Sequence, residues 1–361
     1  MADFFEIDFL AVEAKKSGDA IAIRYEQGGL TSIHVVDGGF QATGPSLIEH
    51  IRTHYGDPTF IDHVVVTHQD GDHAGGLRTI LEEFDVGALW MHRPWLYAGE
   101  ILHRFATYNP VEHLRRRLRT IYSNLAALED LATERGIPIY EPFQGAAIGA
   151  FRVMAPTRAR FLDLVVESDK TPEHVEAAAE TVLASAADAL VRTLQKAVTF
   201  VKALWGEEVF SPEETSAENE MSVVQYANLC GKRILLTGDT GRAGLQEAAN
   251  YAPFVGLSLP GIDRFQVPHH GSRRNVSTEL LDRWLGPRLA ESGGEPTFTA
   301  VVSSAAEDKD HPRKAVVRAL IHRGAKVVAT EGKTIQTYCN APNRDGWGPA
   351  TPEAYPEDQE E

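Results

Sequence analysis

Apolar and polar residues alternate in short runs along most of this chain, and the period of the runs changes repeatedly. "FFEIDFLAV" (4–12) mixes aromatic and aliphatic residues as a strand does. "DAIAIRYEQGGLTSIHVVDGG" (19–39) reads as two strands joined at the Gln27-Gly28-Gly29 turn and ending at Asp37. A helix is expected over 45–54, a buried strand at "IDHVVVT" (61–67), a helix at "AGGLRTILEEF" (74–84) and a strand at "VGALWMH" (86–92). Apolar residues three and four apart predict a helix over 111–135, closed by Gly136. "AFRVMAPT" (150–157) is a further strand, and the Ala-rich stretch 159–209 again has helical spacing. After the acidic loop "SPEETSAENE", strands return in "MSVVQYANLCGKRILLTGD" (221–239). The last third alternates helix (243–251), strand "DRFQVPHH", helix "STELLDRWL", strand "TAVVSS", helix "PRKAVVRALIHRG", and strands "AKVVAT" and "KTIQTYC". The pattern predicts an α/β domain over 1–340 with helical insertions at about 98–135 and 159–215. Residues 341–361, rich in Pro, Asp and Glu, predict a mobile tail.

Composition narrows the classes. A chain of 361 residues with 43% hydrophobic and 24% charged residues can bury a sizeable core. Cys230 and Cys339 are too few for a disulfide framework, so a reducing, cytoplasmic setting is expected. The start, "MADFFEIDFLAVEAKK", lacks the pattern of a signal peptide, and no window approaches the roughly 20 apolar residues that cross a bilayer. No membrane role is therefore expected. The net charge of −16 argues against non-specific grip on nucleic acid, so any phosphate-bearing ligand must be drawn by a local field.

The densest chemistry lies in "VVVTHQDGDHAGG" (64–76), which sets His68, Asp70, Asp72 and His73 directly behind a β-branched run. A loop leaving a strand can aim His68 and Asp70 at one point, with Gly71 expected to allow a sharp turn. Asp72 and His73 then face a second point at the start of the next helix. That geometry suits two metal ions with nitrogen and carboxylate ligands. The plain alternative, an Asp capping the helix, leaves both histidines unexplained. "RILLTGDTG" brings Asp239 to another strand end, where it can bridge two ions or merely form a turn. "FQVPHHGSRR" places His269 and His270 after a third strand, followed by Ser272, Arg273 and Arg274. Neighbouring histidines on an extended chain point opposite ways, so one can be a ligand while the other supports it.

With these motifs in view the chain resembles the metallo-β-lactamase-fold hydrolases. Their pattern His-x-His-x-Asp-His is matched by "HQDGDH", with Asp70 in place of the second His. The form "THQDGDHAGG" resembles the ComEC subgroup, the hydrolase domain of a DNA-uptake protein. So do "SGDAIAI", "VVDGG" at Asp37, "ENEMSVVQY", "VPHHGS" and the late His-Pro at His311, over most of residues 6–338. The resemblance implies an αββα sandwich and two divalent metal ions. It implies one ion at His68 and Asp70, another at Asp72 and His73, and Asp239 between them. His269 is expected to complete the second site, with His270 as the rival. No "GH" motif precedes Asp239; Asn219 occupies that region and is a candidate substrate contact with Ser272. Zinc is the expected metal, and the carboxylate-rich set makes manganese its competitor.

The chemistry expected is hydrolysis by an activated hydroxide, with Asp72 and Asp239 orienting it and His311 donating a proton. His311 can equally be a plain residue at a helix start before Pro312. Arg273 and Arg274 are placed to clamp phosphate, or else form a solvated loop pair. "HLRRRLR" (113–119) is a basic patch or a solvated helix face, and Trp90, Trp95 and Tyr97 either stack on bases or pack inside. A phosphodiesterase or nuclease acting on nucleic acid or a nucleotide leads. Lactone, lactam or thioester hydrolysis is the alternative, and a third possibility is a binding partner that docks another protein through its helical insertion.

Overall fold

The computed structural model describes residues 3–13, 15–105, 110–168 and 200–360. Among these, the strands form two seven-stranded sheets. The first runs β15 (Ile335–Cys339), β1 (Phe4–Phe9), β2 (Ala20–Gln27), β3 (Leu30–Gly38), β4 (Phe60–Val65), β5 (Asp85–Trp90) and β6 (Ile139–Tyr140). The second runs β14 (Ala325–Ala329), β13 (Phe298–Val302), β12 (Arg264–Gln266), β11 (Lys232–Leu236), β10 (Val224–Leu229), β8 (Phe151–Ala155) and β7 (Ala147–Ile148). In each sheet four adjacent strands are parallel, β3 to β6 in one and β11 to β14 in the other.

Strand alternation explains the layering. Phe5, Ile7 and Phe9 of β1 meet Ile234, Leu236, Val301 and Val328 of the second sheet in one inter-sheet core. The opposite face of the first sheet packs on helices Gly44–His54, Leu77–Glu83, Ser123–Glu134 and Arg158–Glu167. The second sheet packs on helices Arg242–Tyr251, Thr278–Leu285 and Lys314–Ile321. The result is the expected αββα sandwich. Its parallel strands all point their carboxyl ends the same way, and in such sheets ligands bind beyond those ends.

The helical segments depart from expectation in three places. The helix read over 111–135 is two, Val111–Ile121 and Ser123–Glu134, broken at Tyr122 (ψ 49°). The break lets the Leu114/Leu118 stripe and the Leu125/Leu128 stripe face one core, so this segment is built into the fold and is not an appendage. Helix Arg158–Glu167 likewise buries Phe161, Leu162 and Val165. The helical reading of 159–209 otherwise falls on 169–199, outside the described residues. From Phe200 the chain is strand β9 (Phe200–Lys202) and then loop, as its aromatic and β-branched residues, Gly206 and Pro212 favour.

The expected mobile tail is tied down. Strand β16 (Asp358–Glu360) pairs with β9. Both carboxylate oxygens of Glu360 accept amide bonds at the start of helix Lys314–Ile321, from Lys314 (2.9 Å) and Ala315 (3.0 Å). Arg344 donates to the buried carboxylates of Asp8 (2.8 Å) and Glu6 (2.7 Å). An acidic, Pro-rich composition described a tail with no partner; here its charges meet buried partners on the body.

Candidate metal centre

The donors converge at the carboxyl ends of β4, β11 and β12. After β4 the chain passes Thr67 and His68 and enters a short helical turn, Gly71–Ala74, which carries Asp72 and His73. The glycines that make this possible are Gly75 and Gly76, rather than Gly71. A Cβ on Gly76 would lie 2.1 Å from the Gly38 carbonyl oxygen, whereas one on Gly71 would meet open space to 3.9 Å. Asn124, from helix Ser123–Glu134, holds the loop by donating to the Gln69 carbonyl at 2.9 Å.

His73 is oriented by Asp37. Its Nδ1 lies 2.8 Å from Asp37 Oδ2, and the same carboxylate accepts from the Thr67 amide at 2.8 Å and hydroxyl at 2.5 Å. That fixes the tautomer and leaves His73 Nε2 facing Asp239 Oδ1 at 3.3 Å. His68 keeps Nδ1 against Thr67 and Ser222, at 3.1 and 3.2 Å, and points Nε2 inward, 3.8 Å from Asp70 and 4.0 Å from Asp239. The Ser222 hydroxyl also accepts the Asp239 amide at 3.2 Å.

The two adjacent histidines are not on extended chain. His269 and His270 are both left-handed, with φ of 47° and 54°. Consecutive non-glycine residues in that region are strained, and such strain gathers at functional sites. The turn sends His270 inward, its Nε2 3.7 Å from both Asp72 and Asp239. His269 stays at the rim, with Nδ1 near Asn219 (3.0 Å) and Asn275 (3.2 Å) and Nε2 3.7 Å from Asp239. Among the described residues, the sets of donors close enough to share an ion are His68/His73/Asp239, Asp72/His73/His270, Asp19/Asp239/His270 and Asp19/Asp37/His73. His270, the rival, is in these sets and His269 is not.

Asp19 and Asn275 were missed. Asp19 is buried and accepts from Gln266 at 2.9 Å through Oδ2, while Oδ1 has no partner. Its "SGDA" context held the signal: a Cβ on Gly18 would sit 2.6 Å from the Asp72 carbonyl oxygen, so a glycine must precede Asp19 for the two loops to touch. Asn275 donates to the carbonyls of Asp239 (2.9 Å) and Thr240 (3.1 Å), and nothing in "RRNVS" announces that.

The residue set fits a divalent cation. His68 Nε2, His73 Nε2, His270 Nε2, Asp239 Oδ1 and Asp19 Oδ1 are all buried without a hydrogen-bond partner, an arrangement that is costly unless a shared cation satisfies it. Electrostatics agree. Burial disfavours charge on His270, yet Asp239, Asp72 and Asp19 outweigh it and push its pKa up to about 9. Burial opposes His73 likewise, and Asp239 with Asp37 hold it well above the ordinary value. The pocket is built to hold positive charge. A small pocket beside it is lined by His68, Gln69, His92, Tyr122, Leu125, Phe161 and Met221.

Four predicted residues lie away from this cluster. Arg273 donates to the Glu360 carbonyl at 3.0 Å and so pins the C-terminal strand. Arg274 pairs with Glu213 at the exposed surface. The Ser272 hydroxyl accepts the Arg274 amide at 3.3 Å, and Asn219 donates to Thr215 (2.9 Å) beside His269. A short sequence separation does not carry the guanidinium groups inward, because each is held by a distant partner, Glu360 or Glu213. His311 does reach the rim: its ring stacks on His269 at 5.6 Å, and its Nδ1 lies 3.2 Å from Asp308. Trp95 is buried within the first-sheet core, as the packing alternative holds.

A metallo-beta-lactamase superfamily model matches residues 17–141. ComE operon protein 3 of Bacillus subtilis (strain 168) is 28% identical over 126 residues, 34% of this chain and 14% of that protein. The chain thus spans a small part of the curated relative it matches. Among solved structures, the metallo-beta-lactamase fold protein YhfI from Bacillus subtilis aligns over 92% of this chain and 100% of its own, at 9% identity and TM-score 0.38. The hydrolase AbOPH of the beta lactamase superfamily aligns over 61% of this chain and 56% of its own, at 10% identity and TM-score 0.30. The resemblance read from the motifs therefore stands: a metallo-β-lactamase fold with a ComEC-like resemblance over about a third of the chain, which supports a metal-dependent hydrolase. Among the described residues no helix is long and apolar enough to cross a membrane.

Proposed function

We propose that this metallo-β-lactamase-fold chain is a di-metal phosphodiesterase or nuclease. The observation that carries the hydrolase reading is the convergence of unpartnered buried donors at three strand ends. In this reading His68, Asp70 and Asp239 hold one ion, Asp72, His73 and His270 the other, and Asp19 is an extra carboxylate against the second. Zinc or manganese bound there would lower the pKa of a water and polarise the scissile group. Asp37 keeps His73 in its donor tautomer, and Asn275 and Ser222 hold the Asp239 loop. His311 sits half-buried at the rim with its pKa lowered to about 4 by burial and by His270 and His269, and is neutral at pH 7. With Nδ1–H donated to Asp308, it presents Nε2 as a proton acceptor, and it serves as an acid only after taking a proton.

The phosphodiester part rests on the ComEC-like motifs, because Arg273 and Arg274 lie elsewhere. The second reading is an uncharged lactone, lactam or thioester, because the cations expected to select phosphate, Arg273 and Arg274, serve other partners. Turnover of bis-p-nitrophenyl phosphate, duplex DNA, single-stranded DNA, RNA and cyclic nucleotides, measured beside a lactam and a lactone, separates them. Cleavage of a phosphodiester that is abolished by Asp239→Ala supports the proposal; turnover confined to the uncharged substrates replaces it with the second reading.

A further inference from the structure

The end of the sandwich opposite the metal centre is closed in an unusual way. Strand register aligns Arg264 with Thr299, and Thr299 with Lys326, in one row across β12, β13 and β14. These residues stand in the first or second position of their strands, whereas the metal donors follow the strands' carboxyl ends. Alternation puts the row on the inter-sheet face. Phe265, Ala300 and Val327 point to the helices, while Val301 and Val328, one step further on the row's own face, belong to the inter-sheet core. Two cations and a hydroxyl thus sit where the core would otherwise continue with apolar side chains.

The row forms one wall of a cleft of about 1200 Å³, completed by Lys333, Thr337 and the chain from 342 to 351. Binding pockets for small molecules commonly enclose about 300–1,000 Å³. The charges here lack the pairing found elsewhere in the chain. Arg318 and Arg323 are both buried with carbonyl or carboxylate partners, and Arg344, which also lines the cleft, is taken by Asp8 and Glu6. Arg264 donates from Nη1 to the carbonyl of Asp263, its Nε is buried without a partner, and burial lowers its pKa. The Asp263 carboxylate is taken by Arg233. Among the described residues neither Lys326 nor Lys333 forms an ion pair. Glu331 and Glu353 lie near Lys333 and oppose an anion on that side.

We propose that this cleft is a second ligand site that takes a phosphate-bearing small molecule, separate from the metal centre. The Arg264 guanidinium has the planar fork that fits phosphate oxygens, the two ammonium groups add charge without fixed direction, and Thr299 and Thr337 offer hydroxyls. In a chain of net charge −16, three cations gathered on one cleft create the local field that such a ligand requires.

The test is calorimetric titration of the full chain, as purified, with inorganic pyrophosphate, ATP and adenosine. ATP or pyrophosphate is expected to bind with a salt-weakened affinity, and Lys326→Glu/Lys333→Glu to weaken that binding at least tenfold. Hydrolysis of the substrate found for the metal centre should be unchanged in the double variant, which separates this site from that one. Lys326→Arg, which keeps the charge, should bind as the parent does and guards against misfolding of the double variant. Equal binding by the double variant overturns the proposal, as does adenosine binding as tightly as ATP or no binding by either phosphate probe.

Discussion

Asp37 is hydrogen-bonded to His73 Nδ1, opposite the Nε2 that faces Asp239, and it steers the donor nitrogen of that imidazole. Partners of this kind, when replaced, cost roughly 10–100-fold in metal affinity. Asp37→Asn is therefore expected to lose metal to a competing chelator at least tenfold more readily while keeping its circular dichroism spectrum. Unchanged metal retention would reduce Asp37 to a strut for Thr67. The adjacent histidines give a sharper contrast. Elemental analysis should show His270→Ala losing metal, because Nε2 faces both Asp72 and Asp239, and His269→Ala retaining it. The opposite pattern would restore His269 as the ligand.

Close backbone contact, and not flexibility, governs the elements that carry the motif. The turn Gly71–Ala74 rests on Gly38 and Gly39 because Gly75 and Gly76 have no Cβ. Gly76→Ala forces a carbon to within 2.1 Å of a backbone oxygen, and overpacking of this sort costs about 1–3 kcal/mol. Urea unfolding should show a loss of that size; a loss below about 0.5 kcal/mol, the usual effect of a harmless substitution, would mean that the turn moves freely. The strands and most helices were legible because their periods of 2 and 3.6 are local properties of the chain. The break at Tyr122 and the extended segment at 200–202 were not. The first depends on two apolar stripes sharing one core, and the second on pairing with residues 358–360, more than 150 positions away.

The ends of the chain bind the whole molecule together. Removing 341–361 would strip Glu360 from the start of helix Lys314–Ile321 and leave Asp8 and Glu6 without Arg344. Breaking a buried pair typically costs about 3–5 kcal/mol, so truncation should lower the thermal midpoint by several degrees at least. An unshifted midpoint would make the tail a passenger. Glu208 supplies a second long-range clasp, facing His322 (3.0 Å) and Arg323 (2.7 Å). Burial raises its pKa, but His322 and Arg323 outweigh this and hold it at about 2, against an ordinary 4.5. Its folded pKa is the lower one, so its stabilisation is complete above about pH 4.5 and fades as pH falls through about 2. Glu208→Gln should be less stable than the parent at pH 7, with the difference shrinking below pH 4.5. A constant difference down to pH 2 would remove charge from the account.

The motifs "HQDGDH", "GD" and "PHHGS" were readable as a converging set of candidate metal donors because each follows an apolar strand, and strand ends meet in an open α/β sheet whatever the details of the loops. The αββα class was readable for the same reason, through the order of short periodic segments. Which donors converge was another matter. Asp19 entered the cluster through a loop contact that only a glycine allows, and His270 faces Asp72 and Asp239 while His269 stays at the rim because two residues adopt left-handed φ, which no local pattern announces. Arg273 and Arg274 sit one turn from His270 in the chain yet serve Glu360 and Glu213, since the direction of a side chain is set by the backbone beneath it and by partners far along the chain. Residue types and their spacing are local and survive in the sequence; directions and distant pairings arise only when the sheets close on each other.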